Sequence, residues 1–215
     1  MLRAAWLLLW LITSLPACVP LESMMPPLGG VQAEEDLYQQ AEAAYRNHAY
    51  QQARQHYAAY LERFPSGRYA PQVRLREAEV LGHLGDWPGS LRRYQSFLAR
   101  NPAPDLALKA RYGIGRAYFK LGEYQQANQV LDSLTAGDLP RSLWFSTQAL
   151  LAEIALRQGQ VSQAFSRLRL AAQDLSSGDQ EWFEDLKTRL VEQAAPADLE
   201  NLATLYRDDP LSAAL

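Results

Sequence analysis

A spacing of 37 residues limits this chain to very few folds. Ala53, Ser90, Ala127 and Ala164 stand at that interval, each in a similar setting just after a turn: Tyr-Gln-Gln-Ala-Arg, Trp-Pro-Gly-Ser-Leu, Tyr-Gln-Gln-Ala-Asn and Val-Ser-Gln-Ala-Phe. Three further columns keep the same register. Ala41, Ala78, Gly115 and Ala152 are small; His48, Gly85, Gly122 and Gly159 occupy a turn; Tyr57, Tyr94, Leu131 and Leu168 are bulky. A unit of this size has an apolar face that it cannot bury alone, so copies must stack and share one core.

Within each unit the pattern reads helix, turn, helix. First helices are predicted over 37–47, 73–84, 110–121 and 146–157, and second helices over 51–63, 89–100, 124–134 and 162–173. Glycine after three of the first helices suits a left-handed residue that closes a helix without a Cβ clash. Pro65, Pro102 and Pro140 lie at or beyond the ends of the first three second helices, where proline stops a helix without breaking its interior. The small column has a mechanical reason: two antiparallel helices approach closely only where one presents Ala or Gly, and the neighbouring Tyr or Leu fills the groove.

A small residue at the eighth place of the unit, Ala at the twentieth, an aromatic at the twenty-fourth and Pro near the thirty-second resemble the tetratricopeptide repeat (TPR), over about residues 34–175. The resemblance implies an all-α fold: a TPR-like right-handed α-solenoid of about four helix-turn-helix repeats, with residues 176–215 as a C-terminal helical cap. Phe64-Pro65-Ser66, Tyr69-Ala70-Pro71 and Leu84-Gly85-Asp86-Trp87 look like the variant found in envelope proteins of the outer-membrane assembly lipoprotein BamD type and the CpoB (YbgF) type. In TPR proteins the partner groove is lined from the first helices. Carried over by register, its residues here are Tyr38, Glu42, Tyr45, Arg46, Glu79, His83, Tyr112, Arg116, Phe119, Lys120, Glu153 and Arg157. Aromatic and Arg side chains of this kind are enriched at interaction hot spots. Arg116 and Lys120, one turn apart beside Tyr112, are the leading candidates for gripping an acidic or C-terminal peptide end. The alternative reading of Tyr45, Tyr112 and Phe119 is ordinary packing between repeats.

The N-terminus carries a different signal. Arg3 precedes an apolar run from Ala4 to Leu15, shorter than the ~20 residues that a spanning helix needs, so residues 1–17 read as a signal peptide. Leu15-Pro16-Ala17-Cys18 resembles the bacterial lipobox, although Pro16 fills a slot that more often holds Ala, Ser or Thr. The resemblance implies that Cys18, the sole cysteine, is diacylated. An incidental cysteine beside an Ala-x-Ala cleavage site is the alternative. Val19 after the cysteine, by resemblance to lipoprotein sorting in Gram-negative bacteria, implies the periplasmic face of the outer membrane. Residues 18–33, rich in Pro and Gly, read as a flexible tether.

In the tail, Trp182, Phe183, Leu186, Leu190 and Val191 recur at helical spacing, and a short helix after Pro196 carries Leu199, Leu202 and Leu205. These suit capping helices for the array. The stretch 190–210 also looks like the segment that follows the TPR part in activators of penicillin-binding proteins (LpoA/LppC type), which implies a large further domain beyond these residues.

Other chemistry finds little support. With 21 Lys+Arg against 24 Asp+Glu and no basic block, the chain lacks the electrostatic footprint for nucleic acid. His48, His56 and His83 show no metal-ligand spacing. Gly113-Ile114-Gly115 has Tyr118 where a nucleotide-binding loop needs its third glycine, and there is no Gly-x-Ser-x-Gly. The expectation is therefore a non-catalytic, cofactor-free scaffold that binds an envelope protein or peptide, in outer-membrane protein assembly or alternatively in regulating peptidoglycan synthesis or division. An enzyme behind the repeats is the remaining rival. Because the Ala column must admit a neighbouring helix, Ala127→Trp is expected to cost at least ~1–3 kcal/mol through overpacking; a thermal melt without loss would refute the register.

Overall fold

The structure is a computed structural model that describes residues 28–172 and 180–205. The expected signal peptide, Cys18, and the tether up to residue 27 lie outside the described residues, as does Gln173 at the expected end of the eighth helix. The described residues form ten helices and no strand: α1 (Leu28–Arg46), α2 (Tyr50–Arg63), α3 (Ala70–His83), α4 (Trp87–Leu98), α5 (Pro104–Lys120), α6 (Tyr124–Thr135), α7 (Arg141–Arg157), α8 (Val161–Ala172), α9 (Gln180–Gln193) and α10 (Pro196–Leu205).

The helices pack as α1 with α2, α3 with α4, α5 with α6 and α7 with α8. Each second helix also packs on the next first helix, and α3, α5, α7 and α9 touch in succession. This is the all-α TPR-like solenoid that the spacing implied, and its interval is physical. Every member of the two small columns and of the bulky column is buried. In the second repeat Ser90 replaces Ala, and its Oγ donates to the Ala78 carbonyl at 2.7 Å, so the twentieth residue rests on the backbone of the eighth. In the third, a Cβ added to Gly115 would stand 2.6 Å from Cγ of Leu131, the bulky residue of the same repeat. Contact between repeats is equally tight: a Cβ on Gly113 would fall within the ring of Tyr94, the bulky residue of the preceding repeat.

The turn column is left-handed in all four copies, with φ of 57° at His48, 83° at Gly85, 80° at Gly122 and 71° at Gly159. After it the chain closes identically each time. The N–H of the next residue donates to the carbonyl five back: Ala49 to Ala44, Asp86 to Leu81, Glu123 to Tyr118 and Gln160 to Ala155, all at 2.9 Å. His48 adopts this conformation without being glycine, with its Nδ1 2.8 Å from the Tyr50 hydroxyl.

Two expectations are corrected. Residues 28–33 of the tether are helical, because α1 starts at Leu28; Gln32 bonds Asp36 one turn on, and the next residues, Glu34 and Glu35, accept from the Tyr60 and Tyr69 hydroxyls. Tertiary anchoring here outweighs the poor helix propensity of Gly29 and Gly30. Pro140 is the N-cap of α7, not the stop of α6, which ends at Thr135. Likewise α3 and α5 begin well before Val73 and Ala110, with Pro71 and Pro104 in their first turns, where a missing N–H costs nothing.

The tail packs as a cap. Phe183, Leu186 and Leu190 from α9 and Leu202 from α10 join Phe165 and Leu168 of α8 in one buried cluster. Among the described residues no helix is long and apolar enough to cross a membrane.

Gly115→Leu is expected to lose ~1–3 kcal/mol in urea unfolding, and adding Leu131→Ala should recover part of that loss because the two side chains compete for one volume. Strictly additive losses would show that they do not meet.

Candidate functional site

Successive first helices lie side by side, so the groove positions carried over by register fall along one face of the array. The structure divides them into two groups with different roles.

The group on α1 and α3 is mostly committed to internal contacts. Glu42 is only 7% exposed, which corrects its assignment as a groove ligand. The Tyr57 hydroxyl donates to Glu42 Oε1 at 2.5 Å, and Arg76 reaches the same carboxylate through Nε at 3.1 Å and Nη2 at 3.3 Å. Burial, followed by the bond to Glu42, holds the Tyr57 hydroxyl far above its ordinary pKa. Arg76 also donates to Glu79 at 2.7 Å and lies 4.4 Å over the Tyr45 ring. A buried carboxylate is tolerable only with such partners. Tyr45 meets Tyr50 and His83 edge to face, and burial pushes its hydroxyl up to about 12. Tyr38 stacks on Tyr69 at 4.1 Å. Tyr38, Tyr45, Glu42 and Glu79 therefore tie repeat one to repeat two, the packing alternative for Tyr45. Arg46 is exposed at the end of α1, with its charge within electrostatic reach of Tyr38. His83 has one ring face covered by Tyr50 at 4.3 Å and remains an exposed residue beside Tyr45.

The group on α5 and α7 converges. Tyr112, Arg116, Phe119, Lys120, Glu153 and Arg157 all line one open cavity of about 450 Å³, floored by the buried Phe145 and Ala149. Four cations, Arg116, Lys120, Arg157 and Arg189, surround one carboxylate, Glu153. That carboxylate is already taken: Arg157 Nε lies 3.1 Å from Oε1, and Arg189, which also bonds Asp185 through Nε at 3.0 Å, places Nη1 2.7 Å from Oε2. Arg116 and Lys120 make no ion pair among the described residues; their nearest stabilising neighbours are the rings of Trp87 at 5.5 Å and Phe119 at 5.5 Å. Two unmatched cations over an aromatic and aliphatic floor suit an anionic group attached to an apolar body.

Sequence reasoning missed Arg76 and Arg189. Arg76 lies outside the groove positions of the repeat, and its role shows only when α1 and α3 are docked. Extending the 37-residue interval from Ala152 would place Arg189 in the buried small column. In the structure Phe183, Leu186 and Leu190 are the buried face of α9, whereas Arg189 lines the cavity and reaches Glu153. The three- and four-residue spacing of those apolar residues was the available signal.

Among the described residues no group of three or more His, Cys, Asp or Glu side chains could hold a metal ion. Comparison with known families finds the tetratricopeptide repeat, whose family model matches residues 109–136, most of α5 and all of α6; α5 forms one wall of the cavity. No curated protein matches the chain. The matched repeat lies within a TPR-like helical array, a fold that in tetratricopeptide-repeat proteins serves to bind other proteins.

Partial desolvation of the otherwise exposed ring, one face of which Tyr50 covers, with a smaller push from the Arg116 charge, lowers the His83 pKa below 6.5. A depressed imidazole favours the fold above pH ~6.5 and withdraws that contribution as pH falls through the folded value. Arg116→Gln should move the His83 titration, followed by NMR, upward toward 6.5; a midpoint at or above 6.5 in the unmodified chain would contradict the geometry.

Proposed function

We propose that this chain is a non-catalytic scaffold of the bacterial envelope, lipid-anchored at Cys18 on the periplasmic face of the outer membrane. It docks an acidic segment of a protein partner in the α5–α7 groove and serves outer-membrane protein assembly. The observation that carries the binding part is the charge state of the cavity. Glu153 is neutralised from both sides by Arg157 and Arg189, so Arg116 and Lys120 face the groove uncompensated.

A partner carboxylate entering here replaces water around two cations already held in place by aromatic neighbours. Tyr112, Phe119 and Phe145 offer contact area for the apolar side chains beside it. The envelope and assembly parts rest on the sequence around Cys18 and on the BamD-like loop motifs. They are independent of the groove and are tested by which proteins are recovered.

The direct experiment is crosslinked pull-down from the native host with the unmodified chain and with Arg116→Glu plus Lys120→Glu. The double reversal should lose the partner by about tenfold or more, with unchanged helical circular dichroism, because like charges then face each other across the groove. Undiminished recovery of the same partner would remove the groove assignment.

A further inference from the structure

The solenoid has two edges. One carries the left-handed turns; the other carries the start of α1 and the loops between α2 and α3 and between α4 and α5. On this second edge the two loops enclose a cavity of about 510 Å³. Its polar wall includes Arg68, Arg74 and Arg100, and no carboxylate lines it. Its apolar wall comes from Phe97, Leu106 and Pro102. Arg74 is held in place by donating through Nη2 to the Pro65 carbonyl, and Arg68 lies 5.2 Å over the Tyr69 ring. None of the three makes an ion pair among the described residues. Three carboxylates stand close behind the lining: Glu34, whose Oε1 would clash with a Cβ added at Gly67 and which accepts from Tyr60; Glu35 near Arg68, which accepts from Tyr69 and Gln39; and Glu77 near Arg74.

The position of this cavity gives it a meaning. The Glu35 carboxylate accepts from Tyr69 at 2.5 Å and Glu34 accepts from Tyr60, so the first turns of α1 sit against the α2–α3 loop that forms the cavity wall. The described chain therefore begins, at Leu28, on this edge. From Cys18 to Leu28 the sequence reaches at most roughly 33 Å when extended at ~3.3 Å per residue. A lipid at Cys18 thus holds this edge within roughly 33 Å of the bilayer surface.

We propose that the cavity between the α2–α3 and α4–α5 loops takes the phosphate of an anionic lipid headgroup. Arg68, Arg74 and Arg100 supply the positive charge, and the apolar wall faces the glycerol end of the headgroup. The assignment to lipid over free phosphate rests on the anchored reading of Cys18 and on the edge at which α1 begins. Arginine clusters near an anionic surface gain from its potential and from bidentate contact with phosphate oxygens.

The test is arginine modification by phenylglyoxal, read by mass spectrometry, on the full-length protein purified from membranes. It is placed with vesicles of phosphatidylcholine alone, with vesicles containing phosphatidylglycerol, or with inorganic phosphate and no vesicles. Phosphatidylglycerol should slow modification of Arg68 and Arg100 about fivefold against phosphatidylcholine, while Arg46 and Arg157 on the opposite edge keep their rates. Equal rates in the two vesicle types, or equal protection at both edges, would overturn the proposal. Protection by inorganic phosphate alone would overturn the lipid assignment in favour of a free anion. The mass of the peptide that carries Cys18 is read in the same experiment. Absent acyl chains would end the anchor reading, whereas the vesicle comparison would still report on the cavity.

Discussion

The close passage of two helices at the small column underlies the whole fold. The Ser90 hydroxyl reaching the Ala78 carbonyl at 2.7 Å shows a side chain resting directly on a neighbouring backbone. At Gly115 even a methyl group would press on Leu131. Contact at that distance fixes each helix pair as a rigid unit, since protein interiors are close-packed and yield little. The bulky residue of one repeat then becomes the surface on which the next is laid, as Tyr94 is for Gly113. Pair by pair, that arrangement brings the first helices side by side and creates the groove.

The same stacking decides what each stretch of groove is for. Between α1 and α3 the polar residues are consumed internally: Tyr57, Glu42, Arg76 and Glu79 form a chain of hydrogen bonds that satisfies a buried carboxylate. Between α5 and α7 no such closure occurs. Glu153 finds Arg157 on its own helix and Arg189 from the cap, and the remaining cations are left without carboxylates. The cap therefore has an electrostatic role beside its apolar one. By occupying the only acidic group among the described residues that line the cavity, it sets the sign of the surface offered to a partner.

The two edges of the array differ for reasons rooted in backbone chemistry. Left-handed residues and the five-back hydrogen bond make the turn edge short and uniform in all four copies. The opposite edge must carry the chain from one repeat to the next, so its connections are longer and enclose space. That contrast puts the cavity lined by Arg68, Arg74 and Arg100 on the side where α1 starts.

The repeat interval, the helical class, the turn residues and the buried columns were all legible in the order of residues. Each follows from local sterics: Ala or Gly where helices touch, a left-handed residue where the chain reverses. Register also placed Tyr112, Arg116, Phe119, Lys120, Glu153 and Arg157 on a common face, because it carries a position from one copy to the next. Which charges remain open was settled by the docking of helices in space. Glu42, Glu79, Arg116 and Glu153 share one column at the 37-residue interval, yet they meet four different fates. Glu42 is lost to Tyr57 and Arg76, Glu79 pairs with Arg76, Glu153 is claimed from both sides, and Arg116 stays without a carboxylate. Arg189 joins them from α9, outside the four repeats, by reaching Glu153. Pairing depends on distances between helices that are far apart in the chain, and no periodicity within one helix encodes them.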